Sequence, residues 1–213
     1  MRRLAALLIV TLQLTMLGCN GQRTHSNSRY QKYKSEFPPS LTAHFPDCLA
    51  SFPVKVVNNQ DISKNDVGLL LYEYKVEKKN LDSIVTELRG KAIAEYSSRD
   101  SCLLIVNQFE TIDSFESDAD VEIIDSASIN RACFESLFPM PNFVHYKYRI
   151  DDRPLKLDDS FIIYILEAKS GKHFNVFDLQ PSLQMPKPWE NGYSKGIAIS
   201  YEYNTVIYWG IVW

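Results

Sequence analysis

Glycine is scarce in this chain, eight residues in 213, and none of them cluster. That excludes a loop whose backbone amides cradle a phosphate, which needs closely spaced glycines ahead of a helix. Histidine is scarcer still, four residues, and none pairs with a second histidine or a cysteine at metal-ligand spacing. The nearest approach is His44 with Asp47 and Cys48 on a proline-bent stretch, without a fourth ligand or an orienting partner. No site residue for a metal, a cofactor or a catalytic step is assigned on these patterns. The longest apolar run falls short of the roughly 20 residues that span a bilayer, and no internal repeat is visible.

Basic charge is also in deficit, with 23 Lys+Arg against 26 Asp+Glu. The imbalance is uneven. Residues 20–36 carry Arg23, Arg29, Lys32 and Lys34 against Glu36 alone, which leaves residues 37–213 with 17 basic and 25 acidic side chains. An acidic body lacks the basic footprint that phosphate backbones require, so nucleic acid is excluded as a partner. Residues 110–125 hold seven carboxylates and no basic residue. The spacing Asp118-x-Asp120-x-Glu122 lacks the glycine and the terminal glutamate of a calcium loop and reads as a strand wet on one face.

What is present begins at the N-terminus. Met1-Arg2-Arg3 precedes an apolar run from Leu4 to Leu17 and then Gly18-Cys19, the three-part layout of an export signal. Met16-Leu17-Gly18-Cys19 resembles the lipobox of bacterial lipoproteins. The resemblance implies cleavage after Gly18, removal of residues 1–18 and lipidation of Cys19, with the multiple acyl chains that stable residence in a bilayer requires. In that family an aspartate after the cysteine retains the protein in the inner membrane. Here the position is Asn20, so the resemblance implies an outer-membrane anchor with the protein facing the periplasm. Ordinary secretion into the periplasm is the alternative.

Residues 19–36 read as the lipidated cysteine and a flexible basic tether, because 20–36 offer no aliphatic side chain to bury. Residues 37–213 are expected to form a single α+β domain: a mainly antiparallel sheet of six to eight strands, packed by one long helix (81–96) and one short helix (127–137). Val67–Glu77 reads as a strand. Cys102–Asn107 reads as a buried strand, and residues 118–123 and 144–150 as strands wet on one face. Phe161–Leu166, apolar on both faces, is expected at the centre of the sheet. Gly196–Trp213 is expected to be a hairpin with small residues across from large ones, covered on both faces. Cys102 and Cys133 fall in apolar patterns and read as small buried hydrophobes.

The stretch 180–195 is long for a loop, and long loops are often functional. Trp189 and Tyr193 within it form a possible binding surface for an envelope protein or a glycan. The functional expectation is a lipid-anchored, non-catalytic binding or assembly module. The alternative is an envelope hydrolase acting on cell-wall peptide or glycan.

Overall fold

The computed structural model describes residues 23–58, 66–108, 126–143 and 157–213. Six strands are built from these: β1 (Val54–Asn58), β2 (Val67–Glu73), β3 (Ala94–Ser97), β4 (Phe161–Ser170), β5 (Gly192–Ser200) and β6 (Thr205–Val212). They form one sheet in the order β1-β2-β6-β5-β4-β3, with every neighbouring pair antiparallel. Helices α1 (Arg23–Ser35), α2 (Pro39–Thr42), α3 (Lys78–Leu88) and α4 (Ser126–Ile129) complete an α+β fold. The expected strands at 118–123 and 144–150 lie outside the described residues.

The sheet is buried on both faces, and β6 shows how. Alternate residues of a strand point to opposite sides. Val206, Tyr208 and Val212 enter one core, whereas Ile207, Trp209 and Ile211 enter the other. The first face is covered by α1, α2 and α3 through Tyr30, Leu41, Leu81, Val85 and Leu88. Among the described residues the second is covered without a long helix, by Leu103–Val106, Phe134, Met140, Phe143 and Met185. The expected hairpin is present. Gly196 faces Trp209 and Ala198 faces Ile207, while Ser200 meets Thr205. Asn204 closes the turn at φ +49°, a backbone that asparagine tolerates better than most residues.

Five expectations are corrected. Residues 20–36 were expected to be a tether, yet Arg23–Ser35 are helical. Tyr30 and Tyr33, three residues apart, supply the apolar face that aliphatic side chains do not, and Tyr30 is fully buried. The long helix stops at Leu88 instead of reaching Tyr96. After Gly90, Ala94–Ser97 become the edge strand β3, with Tyr96 opposite Ile163. The short helix at 127–137 is broken into the single turn α4 and a 3₁₀ turn at Ala132–Phe134. The Asn130 side chain bonds back to the Ser126 carbonyl between the two. Residues 103–107 are buried and Cys102 half-buried, but the segment does not join the sheet. It meets Met140 through one parallel bridge at Ile105, bonded by Val106 N–H to Met140 O and Met140 N–H to Leu104 O, each 2.9 Å. Finally, among the described strands β4 lies second from the edge, as β2 does on the other side, and the centre is occupied by β6 and β5.

The cysteines are the other departure. Cys102 and Cys133 are joined in a disulfide with their Cα atoms 6.4 Å apart. This link fastens the irregular 102–106 segment to the 3₁₀ turn and so holds together the cover of the second face. Cys48 is solvent-exposed.

Candidate functional site

The two aromatic residues singled out in the 180–195 stretch are not brought together. Trp189 belongs to the second face, where its ring lies edge-on to Phe138 at 6.5 Å and tilted against Trp213 at 6.2 Å. Its carbonyl accepts the Trp213 indole N–H at 2.7 Å. Tyr193 is the second residue of β5 and is buried in the opposite core, edge-on to Phe174 and His173 at 5.1 Å each. The stretch is also less open than its composition implies. Ser182 N–H donates to Glu190 O at 2.6 Å, which closes residues 182–190 into a compact loop. The Ser182 hydroxyl donates to Asn107 at 3.0 Å. Leu183 at the front of this loop remains 81% exposed.

Among the described residues, the densest polar constellation is one that the sequence did not suggest, and a β-bulge creates it. On β4, Phe161, Ile163 and Ile165 point to the second face, and strict alternation would send Glu167 there too. The register slips between Ile165, opposite Gly196, and Glu167, opposite Lys195. The extra residue turns Glu167 onto the first face, as bulges commonly re-aim a side chain. There it receives the Tyr193 hydroxyl at 2.5 Å and forms ion pairs with Lys195 at 2.7 Å and Lys169 at 2.8 Å.

Hydrogen bonds from Lys169, Lys195 and Tyr193 pull the Glu167 carboxyl down from 4.5 to about 2. Burial, and then the hydrogen bond to Glu167, push the Tyr193 phenol up. The carboxylate is therefore ionised and the phenol neutral across the physiological range. Lys195 also donates to the Ser40 carbonyl at 2.8 Å, so the array ties α2 to β5. Chemically it resembles a clasp more than a nucleophile, since its acidic and basic groups satisfy one another.

His44, Asp47 and Cys48 do not converge. His44 leans edge-on against Phe45 and its Nε2–H donates to the Trp209 carbonyl at 2.8 Å. Asp47 pairs with Lys34 at 3.2 Å, on the side of α1. Among the described residues no group of three histidine, cysteine or acidic side chains is placed to hold a metal ion. Asp158, of the Asp158-Asp159 pair, caps its own turn by accepting Ser160 N–H at 3.1 Å. A shallow apolar recess on the second face, lined by Leu103, Ile105, Met140, Phe143 and Ile163, holds one polar side chain, Ser98. That hydroxyl is already bonded to Asp158 O and Phe161 N–H.

His44 does carry a pH dependence. Its Nδ1 is buried without a hydrogen-bond partner among the described residues, and burial lowers the imidazole from 6.5 to about 4, with Lys195 and Lys34 adding to the effect against the backbone hydrogen bonds that oppose it. Protons therefore bind the unfolded chain more readily than the folded one between those values. Stability from this group is complete above pH 6.5 and falls as the pH drops toward 4, by about 3 kcal/mol in all. Urea unfolding at pH 7 and pH 4.5 should show a stability difference that shrinks in His44→Gln. An equal pH slope in both proteins would refute it.

Compared with protein-family models, curated proteins and solved structures, the chain matches none. Cys19, the lipidation site that the lipobox resemblance implies, lies outside the described residues. No helix among the described residues is long and apolar enough to cross a membrane.

Proposed function

We propose that this chain is a lipid-anchored protein of the cell envelope. An acylated Cys19 holds it in the outer membrane, facing the periplasm, and its domain is a binding or assembly module without catalysis. The observation that carries the reading is the Cys102–Cys133 disulfide, because such bonds persist in oxidising compartments that a chain reaches by export. The export signal and Met16-Leu17-Gly18-Cys19 supply the route and the anchor. The binding reading is supported by the closed 182–190 loop, which presents Leu183 and the half-buried Trp189 beside a covered sheet. Such a surface suits an envelope protein more than a glycan, since the exposed group is aliphatic.

Replacing Cys19 with alanine should abolish acyl-chain labelling and move the protein from the membrane to the soluble periplasmic fraction. An uncut precursor mass with unchanged fractionation would refute the anchor. Crosslinking from position 183 in intact envelopes should capture a discrete protein. Random neighbours, together with cleavage of cell-wall peptide or glycan by the purified domain, would favour a hydrolase instead.

A further inference from the structure

The acylated cysteine and the folded domain are closer together than a tether would allow. Helix α1 begins at Arg23, four residues after Cys19, so the anchor lies within about 14 Å of the first helical residue even if the chain between is fully extended. Which end of the domain faces the membrane then depends on where α1 begins.

The hydrogen bonds fix that end. Lys34 donates to the carbonyls of Phe45 and Pro46, Gln31 to that of Asp47, and Asn27 accepts from Leu49 N–H. The chain from 45 to 49 thus runs back along α1 toward its N-terminus. It continues through Ala50 and Ser51, whose N–H groups bond the Glu73 carboxylate at the end of β2, and reaches Phe52. β1 then returns the other way, and Asn58 at its far end meets Glu36 just beyond the C-terminus of α1.

Three further contacts place the β5–β6 turn at the Phe52 end as well. Tyr74 N–H bonds Pro53 O at 3.2 Å, Val76 N–H bonds Asn204 O at 2.9 Å, and the Tyr201 hydroxyl reaches Asp82 on α3 at 3.0 Å. The end nearest Cys19 therefore carries Phe52, 63% exposed, with Tyr203 at 51% and Tyr201 at 42%. Singly exposed aromatics are ordinary. Three gathered at the end from which a lipid anchor departs are not. Lys75, Lys78 and Lys79 are exposed at the same corner, and Glu77, Asp82 and Glu202 offset their charge.

We infer that this end, with Phe52 foremost and Tyr201 and Tyr203 beside it, rests in the headgroup layer of the bilayer that holds Cys19. Aromatic rings favour that layer, where an apolar body and a polar tip are both accommodated, and the lysine stems reach its phosphates. The acyl chains supply the affinity. The aromatics set the orientation, so that the opposite end of the sheet, with Asn58 and Val67, points into the periplasm. This rests on the proposal that Cys19 is acylated.

The test uses the full acylated protein in vesicles of zwitterionic phospholipid, with Phe52→Trp as probe. The native tryptophans are buried or half-buried, so their emission is a background that the parent protein, measured with the same vesicles, subtracts. Flotation with the vesicles and the lipid-adduct mass report on the anchor. Emission of the new tryptophan reports on docking. The expected result is a blue shift and quenching by brominated acyl chains in Phe52→Trp, with little change in the parent protein. Tyr203→Trp serves as a second probe, and thermal unfolding confirms that each variant is folded. A protein that floats and carries its lipid, but whose tryptophan at 52 or 203 stays quenchable by aqueous iodide, would overturn the docked orientation and leave the anchor standing. A protein without lipid that fails to float would overturn the anchor itself.

Discussion

Replacing Tyr30 with alanine should lower the unfolding free energy by about 3–5 kcal/mol, the usual cost of truncating a buried aromatic. The reason lies in the segment that its sequence presents as a tether. Tyr30 is fully buried, its ring packs in the core beneath α1, and its hydroxyl donates to the Pro46 carbonyl at 2.5 Å. Domains of this kind hold about 5–15 kcal/mol in total, so the loss is a large share of what keeps the chain folded. Tyr30→Phe keeps the ring and should cost only about 1 kcal/mol for the lost hydrogen bond. Arg29→Ala, on the exposed face, should stay within about 0.5 kcal/mol. Equilibrium unfolding in urea separates the three. A Tyr30→Ala protein with the parent midpoint would mean that residues 23–35 are a tether after all.

The same residue shows what the sequence could and could not reveal. Residues 20–36 hold no aliphatic side chain, so a pattern of aliphatic burial is absent there. One tyrosine with a hydrogen-bonded hydroxyl, flanked by Gln31 and Lys34 reaching the 45–47 carbonyls, is enough to seat the helix. Polar side chains that bond a partner segment leave no periodic signal, because the segment they bond is itself irregular. The β2 strand, the core of α3 and the C-terminal hairpin were legible because their periods are intrinsic. Leu81, Val85 and Leu88 repeat at helical spacing, and small residues oppose large ones across β5 and β6. The end of α3 was not legible. Ala92 and Tyr96 continue the helical stripe by count, yet Tyr96 gains more from pairing with Ile163 and accepting the Phe138 N–H at 2.9 Å.

The Glu167 clasp was hidden for a different reason. Its members are separated in sequence, and a bulge that local composition does not mark decides which face Glu167 takes. Trp189 and Tyr193, four positions apart, seemed natural neighbours, but the start of β5 between them sends the two rings into opposite cores. Proximity in a loop is weak evidence of a shared surface once a strand begins inside it.

The second large effect is expected beside that bulge. Gly196→Ala should cost about 3 kcal/mol or more, a severe penalty for adding one methyl group. Gly196 lies opposite Trp209 on β6 and Ile165 on β4. A methyl carbon there would sit 2.6 Å from Trp209 Cη2, and closer still to Trp209 Cζ2 and the Tyr164 carbonyl oxygen. Trp209 is fully enclosed and cannot swing aside, and the carbonyl is backbone of the adjacent strand. Relief would require moving the strand at its bulge, which would also disturb the opposition of Glu167 and Lys195. Gly90 provides the control, since a methyl there meets nothing within 4 Å and its φ is not in the left-handed region. Gly90→Ala should therefore be neutral or stabilising by up to about 1 kcal/mol. Thermal and urea unfolding of both variants would measure the contrast. If Gly196→Ala proved as harmless as Gly90→Ala, Trp209 could not be seated over β5, and the small-against-large layer would not be what holds β5 and β6 in register.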